Sequence, residues 1–159
     1  MSIDPTEVPL PIPGKEVIFR HMDDPDMPWQ LCRAQQNADG STSYVREKWF
    51  AFSPDPRYLS LYAEYDPGMM VRRHGHYSPH IVFVIDGGLW FGERWCPAGT
   101  HVELPFGAAF GPIRAGDEGA KLYEVMMGDP RSWGDQPELF EAALTEHGVT
   151  QLPDPPVDF

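Results

Sequence analysis

A chain of 159 residues is long enough for one compact domain and short for two independent cores. With 18 prolines and 15 glycines spread along it, the chain is interrupted too often for an all-helical bundle. A net charge of −12 repels phosphate backbones and anionic lipid, so neither nucleic-acid binding nor a membrane-surface role is expected.

In chain order, residues 1–14 carry Pro5, Pro9, Pro11 and Pro13 in alternating register, which forbids helix and predicts an extended arm. The first seven residues lack the basic and apolar regions of a secretory signal, and the apolar run Ile81–Ile85 is far shorter than a membrane span. Cys32 and Cys96 are therefore expected as reduced thiols, and the protein as cytoplasmic. Val17–Phe19 reads as a short strand. Strand-like runs then follow at Trp29–Gln35, Tyr44–Phe52, Tyr58–Tyr65, Val71–His76, His80–Ile85, Leu89–Arg94, Gly99–Leu104, Phe110–Ile113 and Lys121–Met127. Short strands at regular spacing predict an all-β sandwich or barrel. Pro137 suits the first turn of a helix, Gly148 its stop, and Leu139, Phe140, Ala143 and Leu144 form its apolar stripe. The expected organisation is an arm over 1–14, a β body over 15–130, and a helix with a tail over 131–159.

Four of the six histidines, His74, His76, His80 and His101, fall between residues 74 and 101. His74 and His76 stand two apart on a predicted strand and so project from the same face, a placement that suits two ligands of one metal ion. Asp86-Gly87 is a preferred dipeptide for a two-residue hairpin turn. That turn sets Val82 opposite Phe91, Val84 opposite Leu89, and His80 opposite Glu93. An inward imidazole beside an inward carboxylate must be paired, hydrogen-bonded or metal-bound.

The spacing Gly68-x5-His74-x-His76-x3-His80-x6-Gly87 resembles the first motif of the cupins, G-x5-H-x-H-x3,4-E-x6-G. Gly99-x5-Pro105-x-Gly107-x2-Phe110 resembles the second, G-x5-P-x-G-x2-H-x3-N. The resemblance implies a jelly-roll β-barrel and a site in which three histidines and one glutamate hold iron, manganese, nickel or zinc. Here His80 stands at the position of the motif's Glu, Phe110 at that of its last His, and Arg114 at that of its Asn. His80 restores a third imidazole, and Glu93 is a candidate for the missing carboxylate. The stretch 88–107 also resembles dihydroxyacetophenone dioxygenase-like cupins, which cleave C–C bonds oxidatively with iron.

One divalent metal ion, Fe(II) by preference, is therefore expected on His74, His76, His80 and Glu93. Glu93 and His101 are candidate acid–base groups, and Arg72, Phe91, Phe110 and Arg114 are candidate substrate contacts. The implied activity is a non-haem iron dioxygenase acting on a small aromatic or ketone-like molecule. Zinc, nickel or manganese are possible in place of iron, and two alternatives stay open: an O₂-independent isomerase, lyase or cyclase, favoured by zinc or nickel, and a cupin that only binds a ligand. Cupin dimers that exchange arms, together with the proline-rich arm here, imply a homodimer.

Overall fold

The computed structural model describes residues 2–156, so Met1 and the last three residues of the expected tail lie outside it. A 3-10 turn at Pro5–Glu7 is capped by the Asp4 side chain, and no strand or helix follows before residue 30. The strand expected at Val17–Phe19 lies outside both sheets, with its three side chains 76%, 70% and 88% exposed. Further on, the segment closes over the body. Met27 is buried, Trp29 tilts against Tyr62, and Lys48 Nζ donates to the Met22 carbonyl.

The strands are β1 (Gln30–Gln36), β2 (Thr42–Pro54), β3 (Arg57–Tyr65), β4 (Met70–Val71), β5 (His74–Tyr77) and β6 (His80–Phe91). They continue as β7 (Arg94–Pro97), β8 (His101–Leu104), β9 (Ile113–Met126), β10 (Asp129–Gly134) and β11 (Thr150–Gln151), with one helix, α1 (Pro137–His147). A nine-stranded sheet runs in the order β11-β1-β2-β3-β9-β6-β7, with β4 on β9 and β8 on β6, while β10 and β5 form a second sheet. All these pairs are antiparallel. Among the described residues no ladder joins the end strands β11 and β7, so the hydrogen bonding does not close into the barrel expected from the sequence.

Alternation decides what faces the core. Leu59, Leu61 and Ala63 of β3, Val82 and Val84 of β6, and Leu122 and Met126 of β9 point inward and are almost wholly buried. Between them, Phe83, Ile85 and Tyr123 point outward and are more than 40% exposed. Glu124 shares the inward register of Leu122 and Met126.

Two sequence expectations change here. The hairpin is not at Asp86-Gly87; β6 runs on through it to Phe91, and the turn falls at Gly92-Glu93, closed by the Phe91–Arg94 pair. β9 lies along both halves of β6 and absorbs the extra residues in two bulges, Val84/Asp86 and Gly87/Leu89. Gly92 supplies the positive φ, 59°, that the true turn requires. The second change is in β9, which covers both Phe110–Ile113's end and Lys121–Met127 as one 14-residue strand. The polar, glycine-containing stretch 116–119 has no register partner of its own, and the strand is continued by the pairs on either side of it, Leu89–Ala115 and Gly87–Ala120.

Helix α1 matches its expected limits. Gly148 ends it at φ 65°, donating to the Leu144 and Thr145 carbonyls. Of its apolar stripe, Phe140 is buried and Leu139 is 44% exposed.

Candidate functional site

Strand β5 places His74 and His76 together, as their spacing predicts, and pairs them with Gly134 and Ser132 of β10. Gly75, between them, is required by space. A Cβ there would overlap the Ala108 carbonyl oxygen and come within 2.5 Å of Trp133 Cζ2. Trp133 Nε1 in turn donates to the His76 carbonyl at 3.2 Å.

Each imidazole of the pair is oriented by a backbone carbonyl. His74 Nδ1 lies 2.8 Å from the Arg72 oxygen, and His76 Nδ1 lies 2.8 Å from the Pro130 oxygen. A carbonyl only accepts, so Nδ1 carries the proton in both rings and Nε2 keeps its lone pair. Carbonyls that fix the tautomer in this way are the usual support of metal-ligating histidines. Burial pushes the His74 imidazole down to about 3 and that of His76 to about 4, with the neighbouring imidazoles adding to the effect. Both rings are therefore neutral at neutral pH.

His80 opens β6 and points inward, only 2% exposed. The three rings form a cluster, with centroids 5.2 Å apart for His74 and His76 and 4.7 Å for His76 and His80. His80 Nε2 lies 3.0 Å from Glu124 Oε1, itself buried, while its Nδ1 is buried with no hydrogen-bond partner. An orphaned buried ring nitrogen costs free energy comparable to a lost hydrogen bond.

Phe110 closes the cluster. Its backbone exchanges two hydrogen bonds with His74, and its ring lies 5.0 Å from His74, 5.7 Å from His80, and stacked on Phe91 at 5.1 Å. The residue standing where the cupin motif has histidine thus sits against the histidine cluster.

A cavity of about 180 Å³ opens beside His74 and His76 and is lined also by Arg33, Glu47, Trp49 and Glu124. Burial and the nearby Glu124 charge raise the Glu47 carboxyl above its ordinary range, and Trp49 Nε1 donates to it at 2.9 Å. Tyr65, also in the wall, is raised well above its usual value by burial and the same carboxylates.

The other expected residues lie elsewhere. Glu93, in the β6–β7 turn, is exposed and lines a separate groove with Arg114, Trp90 and Glu146. Its expected pairing with His80 does not form, because the true turn sets His80 opposite Leu104 and Met126. His101 is exposed on β8 and bonded to Glu103 at 3.0 Å. Arg72 donates to Ser132 Oγ and supplies the carbonyl that holds His74. Sequence reasoning missed Glu124 and Glu47. Each stands at alternate spacing between apolar residues, Leu122 and Met126 or Val45 and Trp49, and that is the signal that would have found them.

By donor type these residues suit a divalent ion: imidazole nitrogens with free lone pairs beside carboxylate oxygens. By arrangement they do not yet converge. Among the described residues no three His, Cys, Asp or Glu side chains are grouped to hold one ion. The Glu124 contact occupies His80 Nε2.

No protein-family model matches the chain, and no curated protein matches it either. Solved structures do. A candidate acetylacetone dioxygenase from Methylibium petroleiphilum PM1 superposes with a TM-score of 0.58 at 13% identity, over 78% of this chain and 85% of that one. An acetylacetone dioxygenase from Acinetobacter johnsonii gives 0.55 at 15% identity, over 82% and 95%. An RmlC-like cupin protein from Ralstonia eutropha JMP134 gives 0.53 at 15% identity, over 86% and 94%. The chain thus has a cupin-like β fold, and at these identities the likeness is one of fold. No helix among the described residues is long and apolar enough to cross a membrane.

Proposed function

We propose that this chain is a metal-dependent cupin enzyme whose centre is built on His74, His76 and His80, with Glu124 as the neighbouring carboxylate. The reaction we assign is a non-haem iron dioxygenation of a small aromatic or ketone-like molecule. The observation that carries the proposal is the pair of carbonyl-held Nδ1 atoms, which leave two Nε2 lone pairs at one end of a cavity. A ferrous ion bound there supplies the redox centre at which O₂ reacts. The chain's own contribution is to hold His74 and His76 neutral, to shield the site with Phe110 and Phe91, and to set in the cavity wall a carboxyl, Glu47, whose proton affinity is raised by burial and by Glu124. The same proposal includes a homodimer, supported by the exposed apolar run Val17–Phe19 of the arm.

The test is metal content by mass spectrometry of untagged protein purified without chelator, beside His76→Ala. Near-stoichiometric iron that is lost in the variant supports the centre. Oxygen uptake is then measured with aromatic ketones and, following the named activity of the Acinetobacter protein, with a 1,3-diketone. Stoichiometric zinc or nickel moves the reading to O₂-independent chemistry. No metal bound, and none taken up from Fe(II), Mn(II), Ni(II) or Zn(II), refutes it.

A further inference from the structure

The cavity wall contains two carboxylates, Glu47 and Glu124, and a guanidinium, Arg33, supplied by β1. Arg33 stands opposite Val45 across the β1–β2 ladder, and both residues line the cavity. Arg131 also lines the cavity, but its guanidinium is committed to the Asp129 carboxylate by three hydrogen bonds. Arg33 is held differently. Its Nη1 donates to the Cys32 carbonyl at 2.6 Å and stands 3.4 Å from Asp154 Oδ2.

Asp154 reaches Arg33 by a defined route. Strand β11 pairs with the end of β1, through Gln35–Gln151 and Gln36–Thr150, and Leu152 N–H donates to the Ala34 carbonyl at 3.0 Å. The chain then runs back along β1 and delivers a carboxylate to the arginine. With side chains 28% and 48% exposed, the pair sits at the rim. Such a pair is weakly held and open to competition from another anion. Beside these polar groups the wall carries the apolar side chains Val45, Leu59, Val71 and Met126 and the Trp49 ring.

We propose that Arg33 is the anion-binding residue of this cavity, that its ligand is a small organic carboxylate with an apolar body, and that Asp154 holds the carboxylate's place in the free chain. A guanidinium fork matches a carboxylate in two parallel hydrogen bonds, and the apolar side chains of the wall take the body of the ligand. The inference rests on the reading of this cavity as the active site only in making the ligand a substrate. The binding itself needs no metal.

The test is calorimetric titration of the chelator-treated full chain with benzoate, and with benzamide as its neutral counterpart. Wild type, Arg33→Gln and Asp154→Asn are compared. Benzoate is expected to bind the wild type more tightly than benzamide. Asp154→Asn is expected to tighten benzoate about twofold to fivefold, the worth of a released rim pair, and to leave benzamide unchanged. Arg33→Gln is expected to weaken benzoate by roughly tenfold or more, the worth of a charge-assisted hydrogen bond. Benzoate binding that is absent, that equals benzamide's, or that ignores Asp154→Asn overturns the proposal. If Arg33→Gln fails to fold, Asp154→Asn alone decides, because that exchange is at the surface. Since the protein is metal-free, failure here leaves the metal reading standing, and failure of metal uptake leaves this one standing.

Discussion

Glu124→Leu is the perturbation on which the architecture of the site can be measured. Glu124 Oε1 is the hydrogen-bond partner of His80 Nε2 at 3.0 Å, both side chains are nearly buried, and His80 Nδ1 already lacks a partner. Leucine at 124 fits the apolar register of Leu122 and Met126 but leaves both imidazole nitrogens unpaired away from water. Removing one partner of a buried hydrogen bond costs about 2–4 kcal/mol, the sum of the lost bond and the stranded group. For a chain of this size that lowers Tm by roughly 5–15 °C. Glu124→Gln keeps an acceptor of the same shape and should cost about 1 kcal/mol. His80→Phe combined with Glu124→Leu removes both polar groups and should recover most of the loss. The assay is urea unfolding of metal-free wild type, these three variants and His80→Phe alone, which closes the double-mutant cycle and gives the coupling energy. If Glu124→Leu unfolds within about 0.5 kcal/mol of wild type, or the cycle is additive to that margin, the His80–Glu124 bond is not holding the cluster and the reasoning fails.

Gly75→Ala should lose about 1–3 kcal/mol by overpacking against the Ala108 carbonyl and the Trp133 ring, seen as a fall in Tm, and should also reduce metal uptake. In metal-free protein, acid should weaken the fold through His74 and His76. Their folded values of about 3 and 4 lie below that of the unfolded chain, so as pH falls through about 6.5 the unfolded state alone takes up protons. The urea midpoint should drop between pH 7 and pH 5 by the equivalent of up to about 2 kcal/mol per histidine, and His74→Gln with His76→Gln should flatten the dependence. Phe110→His adds an imidazole beside His74 and His80, and competition with a chelator should show metal affinity rising by more than the roughly tenfold effect of an outer-shell partner.

What could be read from the chain was local. Alternation put His74 and His76 on one face, and helix signals placed α1 between Pro137 and Gly148 as observed. The misplaced hairpin shows where local reading ends. Asp86-Gly87 has turn chemistry and Gly87 does take a positive φ of 66°, yet β9, more than twenty residues later, pairs on both sides of it and carries β6 through as one bulged strand. The same non-local pairing brings Glu124 to His80 across 44 residues, whereas Glu93, only 13 residues on, is turned outward by the hairpin that does form. The prolines predicted an extended arm, yet Pro5–Glu7 form a 3-10 turn capped by Asp4, and among the described residues the strand pattern of Val17–Phe19 has no sheet to join.

The isolated bridge between His74 and Phe110 has a consequence for access to the cavity. It consists of two backbone hydrogen bonds outside any longer ladder, whereas β6 and β9 pair at ten positions. Opening the protein at that point sacrifices two bonds and leaves the large sheet whole. The amides of His74 and Phe110 should therefore take up deuterium through a small local opening, well before those of β3 and β9. A molecule bound inside would slow that exchange at the same two amides, so their protection would serve as a direct reading of cavity occupancy.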